Sequence, residues 1–309
     1  MMYRMLFRSF MNRAAMAILI VSGAVAFVPA FAQASTAAVS NNWAGYVATG
    51  DTYTGVGATW NIPIVAPTQS DTLSADATWV GIGGVTSKDL IQAGTQAVVQ
   101  DGTVSYNVWY ETLPNTETIV PIVVHANDQM TVALNEKSSG HWQLTITDNT
   151  SGQQYSVALA YDSKHSSADW IEEMPEQVSG RSTSYINLDQ FGTASIRSAY
   201  AVVDGRQETI AEANASQLVM AVQNAIIAKA SDLDTSGAGF TVTRGDGSQT
   251  FTTSSSSTGS SSRSRRVYVR RSYSQLPSSV FTSIPVGVQP QYTVTSGNGY
   301  RVVQVRWSY

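Results

Sequence analysis

The segment MTVALNEKSSGHWQLTITDNTSGQQYSVALAY, residues 130–161, indicates the fold class most directly. Apolar and polar side chains alternate along it, as at Val132 and Leu134, and a period of two is typical of strands with one buried face. Turn-forming residues at 137–140 and 148–152 separate three such runs. The segment therefore predicts an antiparallel meander.

The same pattern of short strands extends outward from about Ser40 to Arg244. No regular helical period lies between the strands, which favours a sandwich or a barrel over a parallel α/β sheet. Residues 207–229 could form a helix on composition. The apolar side chains alternate here as well, so a hairpin that turns at Gln223 and Asn224 is the alternative, and we prefer it mainly because of the motif resemblance described below. The predicted fold class is all-β.

The N-terminus has the pattern of an export signal. Arginines precede an apolar run at 14–27, which is short for a bilayer span, and small residues at 30–34 fit a cleavage site. A retained membrane anchor is the alternative. We expect a signal peptide over 1–34 and a secreted or periplasmic protein that has no membrane association after cleavage. A short signal and the absence of cysteine are typical of a bacterial protein.

Composition excludes several classes of site. The chain has no cysteine, so it has neither a thiol nucleophile nor a cysteine-based zinc site. Charged residues make up only 13%, and a fold with few carboxylate ion pairs loses little stability when acid protonates them. The net charge of −4 gives no reason to expect a nucleic-acid partner. We expect a monomer.

The composition changes after Arg244. We predict a main β domain over 35–245, a Ser/Thr/Arg-rich linker over 246–280 and a C-terminal extension over 281–309 that contains a small pair of strands. The arginine cluster of the linker either binds an anionic surface or forms a solvated, protease-accessible hinge.

Known hydrolase motifs are missing. There is no Gly-x-Ser-x-Gly elbow and no His-Glu-x-x-His, and the three histidines lack the spacing of metal ligands. We therefore expect no metal and no cofactor.

The chain does contain an ordered set of aromatic and polar motifs. They are Asn42-Trp43-Ala44-Gly45-Tyr46, Thr59-Trp60-Asn61, Trp79-Val80-Gly81, Leu90-Ile91-Gln92-Ala93-Gly94, Tyr106-Asn107-Val108-Trp109-Tyr110-Glu111 and Ala168-Asp169-Trp170-Ile171-Glu172-Glu173.

This ordered set resembles the glutamic peptidases, or eqolisins, over about residues 41–244. The resemblance implies a sandwich of two curved antiparallel sheets, similar to the concanavalin or jelly-roll type, with the active site on the concave face. It also implies acid endopeptidase activity on polypeptide substrates without a cofactor, insensitive to pepstatin.

The resemblance also assigns the candidate site residues. Gln92 matches the catalytic glutamine and Glu173 the catalytic glutamate, which we expect to have a moderately low pKa. Strand alternation places Glu172 and Glu173 on opposite faces, so only one of them can point into the site. Trp79 and Glu111 match residues that contact substrate and support the site, and we add the nearby Tyr106 and Trp109 as substrate-binding or supporting residues.

The chain departs from the family at three positions. Fungal members tend to carry acids where this chain has Gly83, Gln96 and Asn107. We therefore expect a pH optimum less extreme than theirs.

Two other functions fit the same residues. A concave β-sandwich can bind carbohydrate or peptide without cleaving it, because fold alone does not fix function. A glycosidase on a similar sandwich could use Glu111 and Glu173, but it would leave Gln92 without a role.

Overall fold

The computed structural model describes residues 37–67, 73–179, 182–249, 292–297 and 300–305. The predicted signal peptide and most of the predicted linker lie outside these ranges. The described residues form strands and turns, and none of them belongs to a helix that could cross a membrane.

The strands are, in chain order, β1 (Ala38–Ser40), β2 (Trp43–Thr49), β3 (Tyr53–Asn61), β4 (Leu73–Gly83), β5 (Leu90–Gln100), β6 (Thr103–Thr112), β7 (Thr118–Val120), β8 (Gln129–Ser138), β9 (His141–Asp148), β10 (Gln154–Ala160), β11 (Ser167–Glu173), β12 (Glu176–Ser179), β13 (Ser182–Tyr185), β14 (Asn187–Leu188), β15 (Thr193–Val203), β16 (Arg206–Thr209), β17 (Ser216–Val222), β18 (Ala225–Ala230), β19 (Phe240–Arg244), β20 (Tyr292–Gly297) and β21 (Tyr300–Val305).

Seventeen of these strands form one continuous network that folds into two layers. The first layer has the order β7-β6-β5-β4-β11-β2-β17, and the second has the order β18-β19-β15-β3-β8-β9-β10. The hairpin of β17 and β18 joins the layers along one edge. These pairings are antiparallel, and only β1 on β17 and β14 on β4 pair in parallel. The predicted all-β sandwich of curved antiparallel sheets is confirmed.

Side-chain alternation in the first layer produces separate apolar clusters on its two faces. The larger cluster lies between the layers and includes the fully buried Trp60, Trp142 and Trp170. The smaller cluster lies on the opposite face of the first layer and includes Trp43 and Trp79. Removing one such buried indole typically costs about 3–5 kcal/mol. The second cluster gives the outer face of the first layer a rigid apolar support.

Three local predictions agree with the structure. Strands β8, β9 and β10 form the predicted meander. The predicted hairpin turns at Gln223 and Asn224, whose φ angles of 50° and 69° are those that a two-residue hairpin turn requires. Strands β20 and β21 pair near the C-terminus, as predicted for the extension.

Candidate active site

Four neighbouring strands of the first layer bring the candidate residues together. On β5, Gln92 lies directly opposite Glu111 of β6 on one side and Gly81 of β4 on the other. On β11, Glu173 lies directly opposite Ala77 of β4. Residues that are directly opposite each other share a face of the sheet. The two segments are eighty residues apart in sequence, and the common pairing with β4 places them on the same outer face.

These residues line one pocket. Its walls combine amide, carboxyl and aromatic side chains: Asn42, Trp43, Ala77, Leu90, Gln92, Gln96, Trp109, Glu111, Glu117, Glu173, Pro175 and Glu176.

Glu173 is held at both oxygens by hydrogen-bond donors. The indole Nε1 of Trp79 donates to Oε2 at 2.7 Å, and the amide Nδ2 of Asn42 donates to Oε1 at 2.9 Å. The neighbouring Glu172 points to the opposite face, where it accepts a hydrogen bond of 2.6 Å from Thr78 Oγ1. Only Glu173 of this adjacent pair faces the pocket, as alternation predicted.

Gln92 is fixed by Glu111. Its Nε2 donates to Glu111 Oε2 at 2.8 Å, and both side chains are buried. An amide nitrogen carries two hydrogens, so one remains for another acceptor. Gln92 Oε1 is buried and has no hydrogen-bond partner among the described residues. The carboxamide therefore offers one donor and one acceptor to the pocket.

Burial raises the pKa of Glu173 and of Glu111, and neighbouring glutamates raise both further. Burial, followed by the charge of Glu176, raises the pKa of Glu173 to about 8, while the surrounding N–H donors act in the opposite direction. Burial and the charge of Glu117 raise the pKa of Glu111 well above its usual range. The expectation of a moderately low pKa for Glu173 was wrong, because it included neither the burial of this side chain nor the charge of Glu176.

The aromatic candidates differ in where they lie. Trp109 lines the pocket, whereas Trp79 is 1% exposed and reaches the site through its hydrogen bond to Glu173. Tyr106 lies on the opposite face of β6 and accepts a hydrogen bond of 3.3 Å from the backbone N–H of Val65. Tyr106 therefore does not face the pocket with Trp109, because residues 106 and 109 differ in strand parity.

Three pocket residues had no role in the sequence prediction. Asn42 immediately precedes β2, which pairs with the strand of Glu173. Glu117 lies in the connection between β6 and β7, and Glu176 begins β12. Asn42 was visible in the first aromatic motif, but nothing in the sequence connected it with a carboxylate 131 residues away.

Comparison with known proteins identifies the family. The model of the peptidase A4 family matches residues 41–244. The chain therefore belongs to the peptidase A4 family, the glutamic peptidases that the sequence motifs resemble. One similar relative is aspergillopepsin-2 of Aspergillus niger, 28% identical over 190 residues. That match covers 54% of this chain and 66% of the relative, slightly under two thirds of its length.

Solved structures show the same fold. A scytalido-glutamic peptidase with a peptide-based transition-state analogue is 21% identical and has a TM-score of 0.58, covering 66% of this chain and 98% of the other. Aspergilloglutamic peptidase from Aspergillus niger is 24% identical and has a TM-score of 0.50, covering 55% and 99%. At sequence identities this low, the similarity to these solved structures shows a shared fold.

Proposed function

We propose that this chain is an endopeptidase that hydrolyses peptide bonds with Glu173 and Gln92. The observation that carries the proposal is that the two side chains line one pocket, each held by its own hydrogen-bond partners. Membership of the glutamic peptidase family supports the same reaction.

The geometry suggests a different chemical role for each of the two side chains. A water molecule that donates to Gln92 Oε1 and to Glu173 would be held between the two side chains. Glu173 takes a proton from this water as the oxygen attacks the scissile carbonyl carbon. The free hydrogen of Gln92 Nε2 donates to the oxyanion, a contribution of about 3 kcal/mol for one such donor. Protonated Glu173 then gives its proton to the leaving nitrogen.

The hydrogen bonds decide which carboxyl group acts as the base. The negative charge of Glu173 raises the pKa of Glu111, so the protons of these two carboxyl groups leave one at a time. Glu173 accepts two hydrogen bonds from fixed donors, whereas Glu111 accepts one from Gln92. Because hydrogen bonds to the ionised form favour it, the negative charge of this pair rests on Glu173 rather than Glu111.

We further propose that activity is low in strong acid and rises as the pH increases above about 4. The raised pKa of Glu173 makes its ionised form scarce at very low pH, so the rate increases as pH rises from there. A profile that peaks at or below about pH 2, well under the pKa of a free glutamate, would contradict this.

Digestion of an unfolded protein tests the proposed activity. The full chain should release internal fragments at pH 4–6, unaffected by pepstatin. Gln92→Ala should lower kcat by about 10²–10³-fold. Glu173→Gln should lower it by about 10²–10⁴-fold. Gln100→Ala, on the same strand but outside the pocket, is the matched control. A folded wild-type sample with no cleavage at any pH would refute the proposal and favour the binding-module alternative.

Export is a separate proposal, which rests on the N-terminal sequence. N-terminal sequencing of protein recovered outside the cytoplasm should begin at Gln33 or Ser35, after one of the two small-residue sites. A chain that still begins at Met1 would indicate a retained anchor.

A further inference from the structure

Gln96 lines the same pocket as Gln92 and Glu173, but the proposed mechanism gives it no role. Its side chain is 5% exposed, and its amide Nε2 is buried with no hydrogen-bond partner among the described residues. A buried donor without an acceptor costs stability, so such groups are uncommon unless a ligand or water satisfies them. An unpaired donor of this kind in the pocket indicates that something bound there accepts from it.

The strand register places Gln96 at the same level as Glu173. Glu173 lies opposite Ala77, and Ala77 lies opposite Gln96 on its other side. Two strand spacings, about 10 Å, therefore separate the two backbones. The small side chain of Ala77 lies between them and leaves space above the sheet.

Gln96 also shares a face with Gln92, four residues earlier on β5, with Gly94 between them. The two Cα positions are about 13 Å apart at 3.3 Å per residue. A chain of about four extended residues has the same length, and each of its residues presents a backbone carbonyl. The separation of the two carboxamides along β5 therefore matches an extended peptide that contacts both.

We propose that Gln96 Nε2 donates a hydrogen bond to a backbone carbonyl of the polypeptide substrate, within about four residues of the scissile bond. The identity of this ligand rests on the proposed function. Gln96 is then a substrate-positioning residue, distinct from the pair that acts on the reacting atoms. Because an amide does not titrate, this contact stays intact across the working pH range, whereas an acid at the same position would lose its donor on ionisation.

Binding to an inactive enzyme tests this inference separately from catalysis. The probe is a reduced, carboxymethylated small protein, measured at pH 4 with Glu173→Gln in otherwise full-length chain. Adding Gln96→Met, which keeps the side-chain length but removes the donor, should weaken binding about three- to tenfold. Gln100→Met in the same background should not change it. Equal affinity of the Gln96→Met and parent proteins, or no binding by a folded parent, would overturn the inference.

A conservative variant separates positioning from a general disturbance of the pocket. At pH 4 the protonated carboxylic acid of Gln96→Glu can still donate, so this variant should bind within about twofold of the parent. In the active enzyme, Gln96→Met should raise KM with little change in kcat. Binding by Gln96→Glu as weak as that of Gln96→Met, or a Gln96→Met effect on kcat alone, would overturn the assignment.

If the wild-type chain binds the polypeptide through Gln96 but does not cleave it, the proposed activity fails while this inference holds. The two claims are therefore distinguishable in one set of proteins.

Discussion

Adjacent residues 172 and 173 have the same side chain and different surroundings. Glu172 faces the core between the layers, and burial raises its pKa to about 7. Glu173 faces the outer pocket and is held there by Trp79 and Asn42. Two identical side chains on one strand can therefore differ in pKa and in hydrogen-bond partners, because the face of the sheet decides which groups each one contacts.

Trp79→Phe should move the pH dependence of activity. The substitution keeps an aromatic side chain but removes the donor to Glu173 Oε2. A donor stabilises the ionised form, so its loss raises the pKa of Glu173 further. We expect the acid limb of kcat/KM against pH to shift upward by about one unit, with kcat lower at pH 5.

Tyr106→Phe is the matched control for this prediction. It also alters an aromatic residue near the site, but one that lies on the opposite face of β6. Its pH profile should match that of the wild type. An unchanged profile for Trp79→Phe would contradict the role assigned to the indole.

Sequence motifs predicted those candidate site residues that have characteristic neighbours in the sequence. The flanking residues predicted Gln92 and Glu173 as candidate site residues, and both line the same pocket. Alternation correctly placed Glu172 and Glu173 on opposite faces. Asn42 and Glu176 were missed because their contribution depends on how β2 and β11 pair and on a connection that follows β11. Such contacts depend on which distant strands pair, and the local sequence pattern does not predict that pairing.

At the scale of the element, β5 requires a glycine between its two carboxamides. Gly94 lies opposite Trp79 of β4. A Cβ at this position would lie 2.2 Å from Thr78 O and 2.6 Å from Trp79 Cβ, so the two strands would have to separate. The glycine keeps Trp79 in the position from which it donates to Glu173.

Gly94→Ala should therefore lower both stability and activity. We expect a loss of about 1–3 kcal/mol in the free energy of unfolding, typical of overpacking. Urea denaturation and kcat at pH 5 measure the two effects. Gly102→Ala, in the neighbouring β5–β6 turn where an added Cβ contacts nothing within 4 Å, is an open-space comparison, although its φ of 75° adds some strain. Equal activity of Gly94→Ala and wild type would contradict this account of β5.

Element types were the part of the fold that the sequence specified best. Alternation predicted the β8–β10 meander. At β17 and β18, where the composition is helix-forming, alternation allowed a hairpin and the family resemblance favoured it, as the structure confirms. The order of strands in the layers was not predictable in this way. The pairing of β11 between β2 and β4 joins segments more than eighty residues apart, and no local pattern predicts it.

For the molecule as a whole, a buried group of acids controls how stability depends on pH. Asp76 lies within hydrogen-bonding range of both Glu172 and Asp189, and all three are at most 1% exposed. Burial raises the pKa of Glu172 to about 7 and that of Asp189 to about 9. Protonated carboxylic acids can donate to one another, whereas ionised carboxylates here would repel.

This cluster should make the fold most stable in acid. These groups bind protons more tightly in the folded than in the unfolded chain. Their contribution to the free energy of unfolding is therefore complete below about pH 4, the pKa of free carboxyl groups, and is lost as pH rises through 7 to 9. For Glu172 alone, the free energy of unfolding should decrease by on the order of 3 kcal/mol between acid and alkaline pH. We expect Tm to fall between pH 4 and pH 8.

Asp76→Asn tests the origin of that decrease. An amide can remain hydrogen-bonded without ionising, so the difference in Tm between pH 4 and pH 8 should be smaller than in the wild type. Asp51→Asn changes an exposed acid and should leave the difference unchanged. A wild-type Tm that is constant or rises with pH would contradict the proposed role of the cluster.

The central claim is that Gln92 and Glu173 act as one catalytic unit, and a double-mutant comparison of kcat at pH 5 tests it most directly. Residues that act together on one step are non-additive, so Gln92→Ala/Glu173→Gln should be about as slow as the slower single variant. Losses that multiply, with the double variant slower by the product of the single effects, would show that the two side chains act independently and would contradict the claim.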